Sequence, residues 1–70
     1  MVNYLRGTVR VTVTGLFPER VINLCAQRGV EFWAVEWPDE HRVILTIRRR
    51  GLSVLEELAQ RAECEVLIGE

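Results

Sequence analysis

The spacing of apolar and polar residues changes several times along the chain, and each change marks a new element. Residues 8–14 alternate strictly between valine and a polar side chain, which is typical of a strand with one buried face. Over residues 17–28 apolar residues recur at helical spacing, Pro18 suits the first position of a helix, and Gly29 is expected to end it. This part of the chain predicts a strand followed by a helix.

The middle of the chain predicts two strands joined by a tight turn. Residues 30–37 are rich in β-branched and aromatic side chains, and residues 41–48 alternate between apolar and polar ones. Residues 38–40 contain a proline and an aspartate, which are typical of a turn. The two strands are therefore expected to follow one another directly.

A second helix and a fourth strand complete the pattern. Ser53 and Glu56 have the spacing of a capping box, and an apolar helical stripe follows them. Residues 63–68 predict a final strand in which Ile68 shares its face with Val66.

The element order βαββαβ is that of the split-βαβ, or ferredoxin-like, plan of α+β proteins. Each βαβ half is expected to be a right-handed crossover. We predict a single domain over residues 1–70, in which a four-stranded antiparallel sheet of strand order 4-1-3-2 carries both helices on one face.

The face of this sheet that the helices leave uncovered is the candidate functional surface. The second strand is apolar on both faces, so if Val30, Phe32 and Ala34 join the core, its tryptophans face outward. Two tryptophans on one exposed strand face are a large apolar load, and Trp and Arg are frequent in interface hot spots. The candidate interface residues are Trp33, Val35, Trp37, Arg42, Ile44 and Arg48.

Two alternatives stay open for the tryptophans. They could fold over the sheet edge and seal the small core, and a β-bulge near Pro38 would exchange the faces of the strand. Flanking arginines could also stack on the tryptophan rings. By alternation, the remaining residues of the uncovered face are Arg10, Thr12, Thr46 and Leu67.

Charge and composition remove several classes of function. The net charge is −1, whereas a protein that neutralises nucleic-acid phosphates needs a basic face, so no nucleic acid is expected as a partner. All nine basic residues are arginine, which makes planar, bidentate contacts that lysine cannot make. Residues 48–50 form the one basic cluster in the sequence. It is interpreted as a solvated connector, with contact to a phosphate or an anionic lipid headgroup as the alternative.

The sequence contains no recognisable constellation of catalytic or metal-binding residues. Cys25 and Cys64 match no zinc or redox spacing and are expected to be buried thiols. His41 is the single histidine and is expected at the surface, without the partners that a metal site needs. The five glycines are isolated, so no phosphate loop is formed. We predict no catalytic residues, no metal and no cofactor, and a protein that is not an enzyme.

Short motifs of this chain carry a resemblance to a known family. They are residues 4–7 (Tyr-Leu-Arg-Gly), residues 18–20 (Pro-Glu-Arg), residues 23–25 (Asn-Leu-Cys) and residues 29–33, and residues 52–68 are similar as well. With these motifs the chain resembles the N-terminal region of the YqfD family of bacterial sporulation proteins.

The resemblance implies a protein of spore-forming Firmicutes that is linked to a middle stage of sporulation, stage IV. Members of the family continue into membrane-spanning segments. The chain is therefore expected to be the soluble, cytoplasmic N-terminal part of a membrane-associated parent protein, which meets the membrane only through downstream segments. The alternative is a short stand-alone relative of the family. No run of 18 apolar residues is present in this sequence. The family has no established catalytic residues that could be carried over.

The predicted function is non-catalytic protein docking or self-association, with a protein partner or a second copy bound to the uncovered sheet face. A small-molecule sensing domain of the ACT type is the second interpretation, because that type uses the same fold to bind ligands between paired domains. An RNA-binding module is the third, and it is disfavoured because the two central strands lack the aromatic residues on which bases stack.

Overall fold

A computed structural model describes residues 7–69 of the 70-residue chain. Within this range, strands and helices follow one another in the predicted order. The elements are β1 (Thr8–Thr14), α1 (Glu19–Arg28), β2 (Phe32–Asp39), β3 (Arg42–Arg48), α2 (Leu52–Arg61) and β4 (Glu65–Gly69), and a 3-10 turn, Arg49–Gly51, precedes α2. Most of the motif at residues 4–7 lies outside the described residues.

The four strands form one antiparallel sheet in the order β2-β3-β1-β4. This is the predicted order 4-1-3-2 read from the opposite edge, so the predicted ferredoxin-like α+β plan is confirmed. β1 and β3 lie at the centre of the sheet, and β2 and β4 are its edges.

The core lies between the two helices and one face of the sheet. The β1–β3 register places the apolar residues of the two central strands directly opposite one another, as their alternation predicted. Cys25 and Cys64 are both buried free thiols, in agreement with the prediction. The most deeply buried core residues are Val11, Val13, Val21, Cys25, Val43, Leu45, Ile47, Leu55 and Leu58.

The two helices begin differently, although both were expected to begin at sequence signals. Pro18 precedes α1 with a helical backbone, and Gly29 ends α1 in a left-handed conformation at φ 77°, as predicted. The capping box predicted at Ser53 and Glu56 is wrong, because α2 already begins at Leu52 and no side chain caps it. The preceding 3-10 turn supplies the helix start with backbone acceptors instead, and the Leu52 N–H bonds to the Arg49 carbonyl.

The second strand departs from the strict alternation that the sequence suggested. Trp33 lies opposite Thr46, but the next pair joins Glu36 to Ile44, so β2 uses three steps where β3 uses two. A further shift follows between Glu36 and Asp39. The alternative of a bulge in this strand is therefore the one that the register supports.

Candidate functional site

The uncovered face of the sheet is crossed by a single arginine side chain. Arg10 extends from β1 over β3, where its Nη1 donates to Thr46 Oγ1 at 2.7 Å and to the carbonyl of Ala34 in β2 at 2.9 Å. Its Nη2 lies 3.4 Å from Glu36 Oε2. Ala34 has a left-handed backbone at φ 55°, so Arg10 contacts the bulge at its unusual residue.

Trp33 lies beside this arginine on the same face and is covered by a second one. The guanidinium carbon of Arg48 lies 5.5 Å from the centre of a Trp33 ring, which is within the range of a cation–π contact. The Arg48 side chain is also bound to an acidic residue, because its Nε donates to Glu31 Oε1 at 3.0 Å. Trp33 is consequently half-buried, and the predicted stacking of an arginine on a tryptophan is present.

A third arginine closes the turn between β2 and β3. Arg42 Nε donates to Asp39 Oδ2 at 2.9 Å, and the backbone N–H of His41 donates to Asp39 Oδ1 at the same distance. The His41 N–H first, and then the Arg42 guanidinium, lower the pKa of the Asp39 carboxyl from its ordinary value. The charges of Asp39 and Arg42 therefore compensate one another within the turn.

The structure divides the predicted interface residues into two groups. Trp33, Ile44, Arg42 and Arg48 occupy the uncovered face, in register with β1. Val35 lies within the first register shift of β2 and Trp37 within the second, and Trp37 is 47% exposed at the sheet edge. The register therefore places Trp33 on the uncovered face and assigns no face to Val35 or Trp37.

The opposite edge of the sheet carries two exposed apolar residues, neither of which is among the predicted interface residues. In β4, Leu67 is 64% exposed and lies opposite Thr12 on the uncovered face. Ile68 lies opposite Val11 on the helix side, as alternation predicted, yet it is 54% exposed. Within residues 7–69 no strand pairs with the outer side of β4.

The two thiols and the histidine do not form a nucleophilic pair. Burial raises the pKa of the Cys25 thiol, and burial followed by the nearby charge of Glu19 raises the pKa of the Cys64 thiol. His41 is exposed, and its Nδ1 lies 3.2 Å from the carbonyl of Gly15. Among the described residues, no three potential metal ligands are grouped together.

The match to a family model agrees with the resemblance carried by the sequence motifs. Residues 3–70 match the family model described as "Putative stage IV sporulation protein YqfD". No curated protein and no solved structure matches the chain. Of the helices between residues 7 and 69, none has the length and apolar character needed to cross a bilayer. Because the family model spans nearly the whole sequence, this chain belongs to the YqfD family of sporulation proteins.

Proposed function

We propose that this domain is a non-catalytic self-association module of a membrane-associated sporulation protein, and that a second copy pairs with it along β4. The single observation that carries the proposal is the regular outer edge of β4, which exposes Leu67 and Ile68. A regular edge strand presents backbone N–H and C=O groups that another strand can bind.

The sequence of β4 is suited to antiparallel pairing with itself. If two copies of the strand are centred on Leu67, the Leu67 side chains meet on one face, and Val66 meets Ile68 of the second copy on the other. Glu65 then lies opposite Gly69, so no like charges are directly opposed. This arrangement has two-fold symmetry, as most closed homodimers do, and joins two four-stranded sheets into one of eight strands.

The uncovered sheet face is the second candidate surface for the same function. Trp33 and Arg48 are of the residue types that dominate interface hot spots, and they lie next to one another on this face. However, Arg10, Arg42 and Arg48 are already bound to acceptors within the domain, so a partner would have to displace or share those contacts. We therefore place the face after β4.

A non-catalytic role is supported by the state of the reactive groups. The thiols of Cys25 and Cys64 are buried and held in their neutral form, and the carboxylates of Glu31 and Asp39 are occupied by arginines. Groups in this state lack the exposure and activation that nucleophilic or acid–base catalysis requires.

The proposal is tested by measuring the solution mass by light scattering after size exclusion, over a tenfold range of concentration. We expect a dimer for the native protein and a monomer for Leu67→Arg, because two arginines would face each other across the strand pair. The matched control is Val35→Arg, which adds the same charge at the exposed opposite edge and should leave the dimer intact. Circular dichroism of each variant verifies that it is folded.

The other outcomes separate the two surfaces. If Leu67→Arg remains dimeric while the double variant Trp33→Ser, Trp37→Ser becomes monomeric, the second copy binds at β2 and not at β4. If the native protein is a monomer throughout the range, the self-association proposal fails.

A further inference from the structure

A cleft of about 650 Å³ opens where the last turn of α1, the entry to β2, the end of β3 and the start of α2 meet. Three arginines from three different elements line it, namely Arg28, Arg48 and Arg50. Glu31 is the single acidic side chain among its lining residues. The whole protein carries a net charge of −1, so this cleft is a positive site on a slightly acidic protein.

Two of the three arginines are not engaged by the domain itself. Arg48 donates to Glu31 at 3.0 Å, so these two opposite charges compensate one another. The side chains of Arg28 and Arg50 make no hydrogen bond or ion pair within residues 7–69. The cleft therefore keeps two guanidinium groups that no acceptor in the described residues compensates.

Glycine residues keep part of this cleft free of side chains. Gly29 and Gly51 both line the cleft. A Cβ atom at Gly29 would have no neighbour within 4 Å, and one at Gly51 would meet Val30 Cγ1 at 3.5 Å. Gly29 therefore borders free space that a ligand can enter, and Gly51 adds no side chain to the cleft.

We propose that this cleft binds a phosphomonoester between Arg28 and Arg50. A guanidinium group offers N–H donors in a planar fork that matches two oxygens of a phosphate. A phosphomonoester has three terminal oxygens and two negative charges, so it satisfies two forks and neutralises both arginines. A single carboxylate has oxygens for one fork and charge for one arginine.

The size of the cleft indicates that the phosphate is part of a larger ligand. A volume of about 650 Å³ is typical of sites for small organic molecules and exceeds what one phosphate group fills. A soluble phosphomonoester and the headgroup of a phosphatidic acid lipid present the same chemistry. The experiment below distinguishes these two sources.

The first arm of the test is a titration of ¹⁵N-labelled protein with inorganic phosphate and then with adenosine monophosphate, at constant ionic strength. We expect saturable shifts centred on the amides of Val30 and Gly51, with tighter binding of the nucleotide. The double variant Arg28→Gln, Arg50→Gln should raise the dissociation constant at least about tenfold, because it removes two charge-assisted contacts to the phosphate.

A second cleft of the domain, also lined by two arginines, provides a matched control. Arg20 and Arg61 line a smaller cleft of about 280 Å³ between α1 and α2, and Arg20→Gln with Arg61→Gln removes the same charge. We expect this control to change the dissociation constant by less than about twofold, as surface charges at a distance are screened. Equal weakening by both double variants would show attraction to net charge alone and would overturn the proposal.

The second arm measures co-sedimentation with vesicles of phosphatidylcholine, with and without phosphatidic acid. Binding that requires phosphatidic acid, and is lost in Arg28→Gln, Arg50→Gln but kept in the control, identifies the lipid headgroup as the ligand. Binding to the nucleotide alone identifies a soluble ligand. If the protein binds in neither arm, the proposal is overturned. The self-association proposal is tested separately by the solution mass, and a dimer would support it even then.

Discussion

The two edges of the sheet are built in opposite ways. β2 changes register twice against β3, and it contains Ala34 in a left-handed conformation and Pro38. β4 pairs with β1 over its five residues without any shift of register. Bulges and proline hinder the addition of another strand, whereas a regular edge permits it. The edge with the tryptophans is thus the protected one, and the edge with the open backbone exposes the aliphatic residues Leu67 and Ile68.

This comparison shows that hydrophobicity alone does not identify a docking edge. Arg48 lies over Trp33, so part of the apolar surface of β2 is shielded from solvent within the domain. Leu67 and Ile68 have no such cover and lie on opposite faces of a strand with a free outer side in the described part of the chain. At β4 a regular outer edge occurs together with exposed apolar side chains. At β2 exposed apolar side chains occur on an irregular edge.

The largest loss of stability is expected from a substitution at Gly15, which packs against Cys64 directly before β4. An ideal Cβ atom at Gly15 would lie 2.6 Å from Cys64 Sγ and 3.3 Å from Cys64 Cα. Gly15→Ala therefore has to displace the buried Cys64 side chain and to shift slightly the backbone that leads into β4. We expect a loss of about 2 kcal/mol in the free energy of unfolding, since overpacking a tight contact costs ~1–3 kcal/mol. For a domain of this size, the melting temperature should fall by about 10 °C.

Two further variants sharpen this test. Gly51→Ala is the matched control, because its Cβ would meet only Val30 at an ordinary 3.5 Å, and its stability should change by less than ~0.5 kcal/mol. Adding Cys64→Ala to Gly15→Ala removes the clashing sulfur and should recover part of the loss. A Gly15→Ala protein as stable as the native one would contradict the close packing between β1 and the start of β4.

A smaller effect is expected at the other edge, where Arg10 holds the bulge. Arg10→Met keeps an apolar stem but removes the donor to the Ala34 carbonyl and to Thr46 Oγ1. We expect a loss of about 1 kcal/mol in urea denaturation, the typical net value of such hydrogen bonds. The ion pair to Glu36 adds little, because the Glu36 side chain is 69% exposed.

The control for this prediction is Arg42, which begins β3 opposite the last residue of β2. Arg42→Met removes an exposed ion pair with Asp39 and should cost only a few tenths of a kcal/mol. Hydrogen exchange should additionally be faster in the β2 amides of Arg10→Met and unchanged in β4. Equal losses in the two variants would mean that Arg10 does not stabilise the bulge.

The regular parts of the fold could be predicted from the sequence because one local rule decides them. The valines of β1 follow a period of two and all face the core, and Gly29 ends α1 because few other residues adopt its backbone conformation easily. These features depend on near neighbours in the chain. The strand order followed from the element order and the handedness of the crossovers.

The faces of β2 could not be predicted, because a contact over a long sequence distance determines them. Ala34 is bonded by Arg10, which lies 24 residues earlier in the sequence, and no local pattern announces a bulge at an alanine. The exposure of Ile68 has a similar cause: alternation assigns its face correctly, but burial depends on how far the helices extend over the sheet. The cleft between Arg28 and Arg50 likewise joins elements that are distant in sequence.

The smallest effect concerns pH and the last residue of β2. The native state lowers the pKa of Asp39 below its ordinary value of 3.8, chiefly through the His41 N–H and secondly through Arg42. A group with a lowered pKa stabilises the fold above its unfolded value and loses that contribution as the pH falls through the native one. The acid limb of the stability profile should therefore begin below pH 4 at this site and be flatter in Asp39→Asn. Carbon-detected NMR titration should give a midpoint below 3.8, and in Arg42→Met the midpoint should rise without reaching 3.8, because the His41 bond remains. A native midpoint at or above 3.8 would mean that the β2–β3 turn is not closed by this carboxylate.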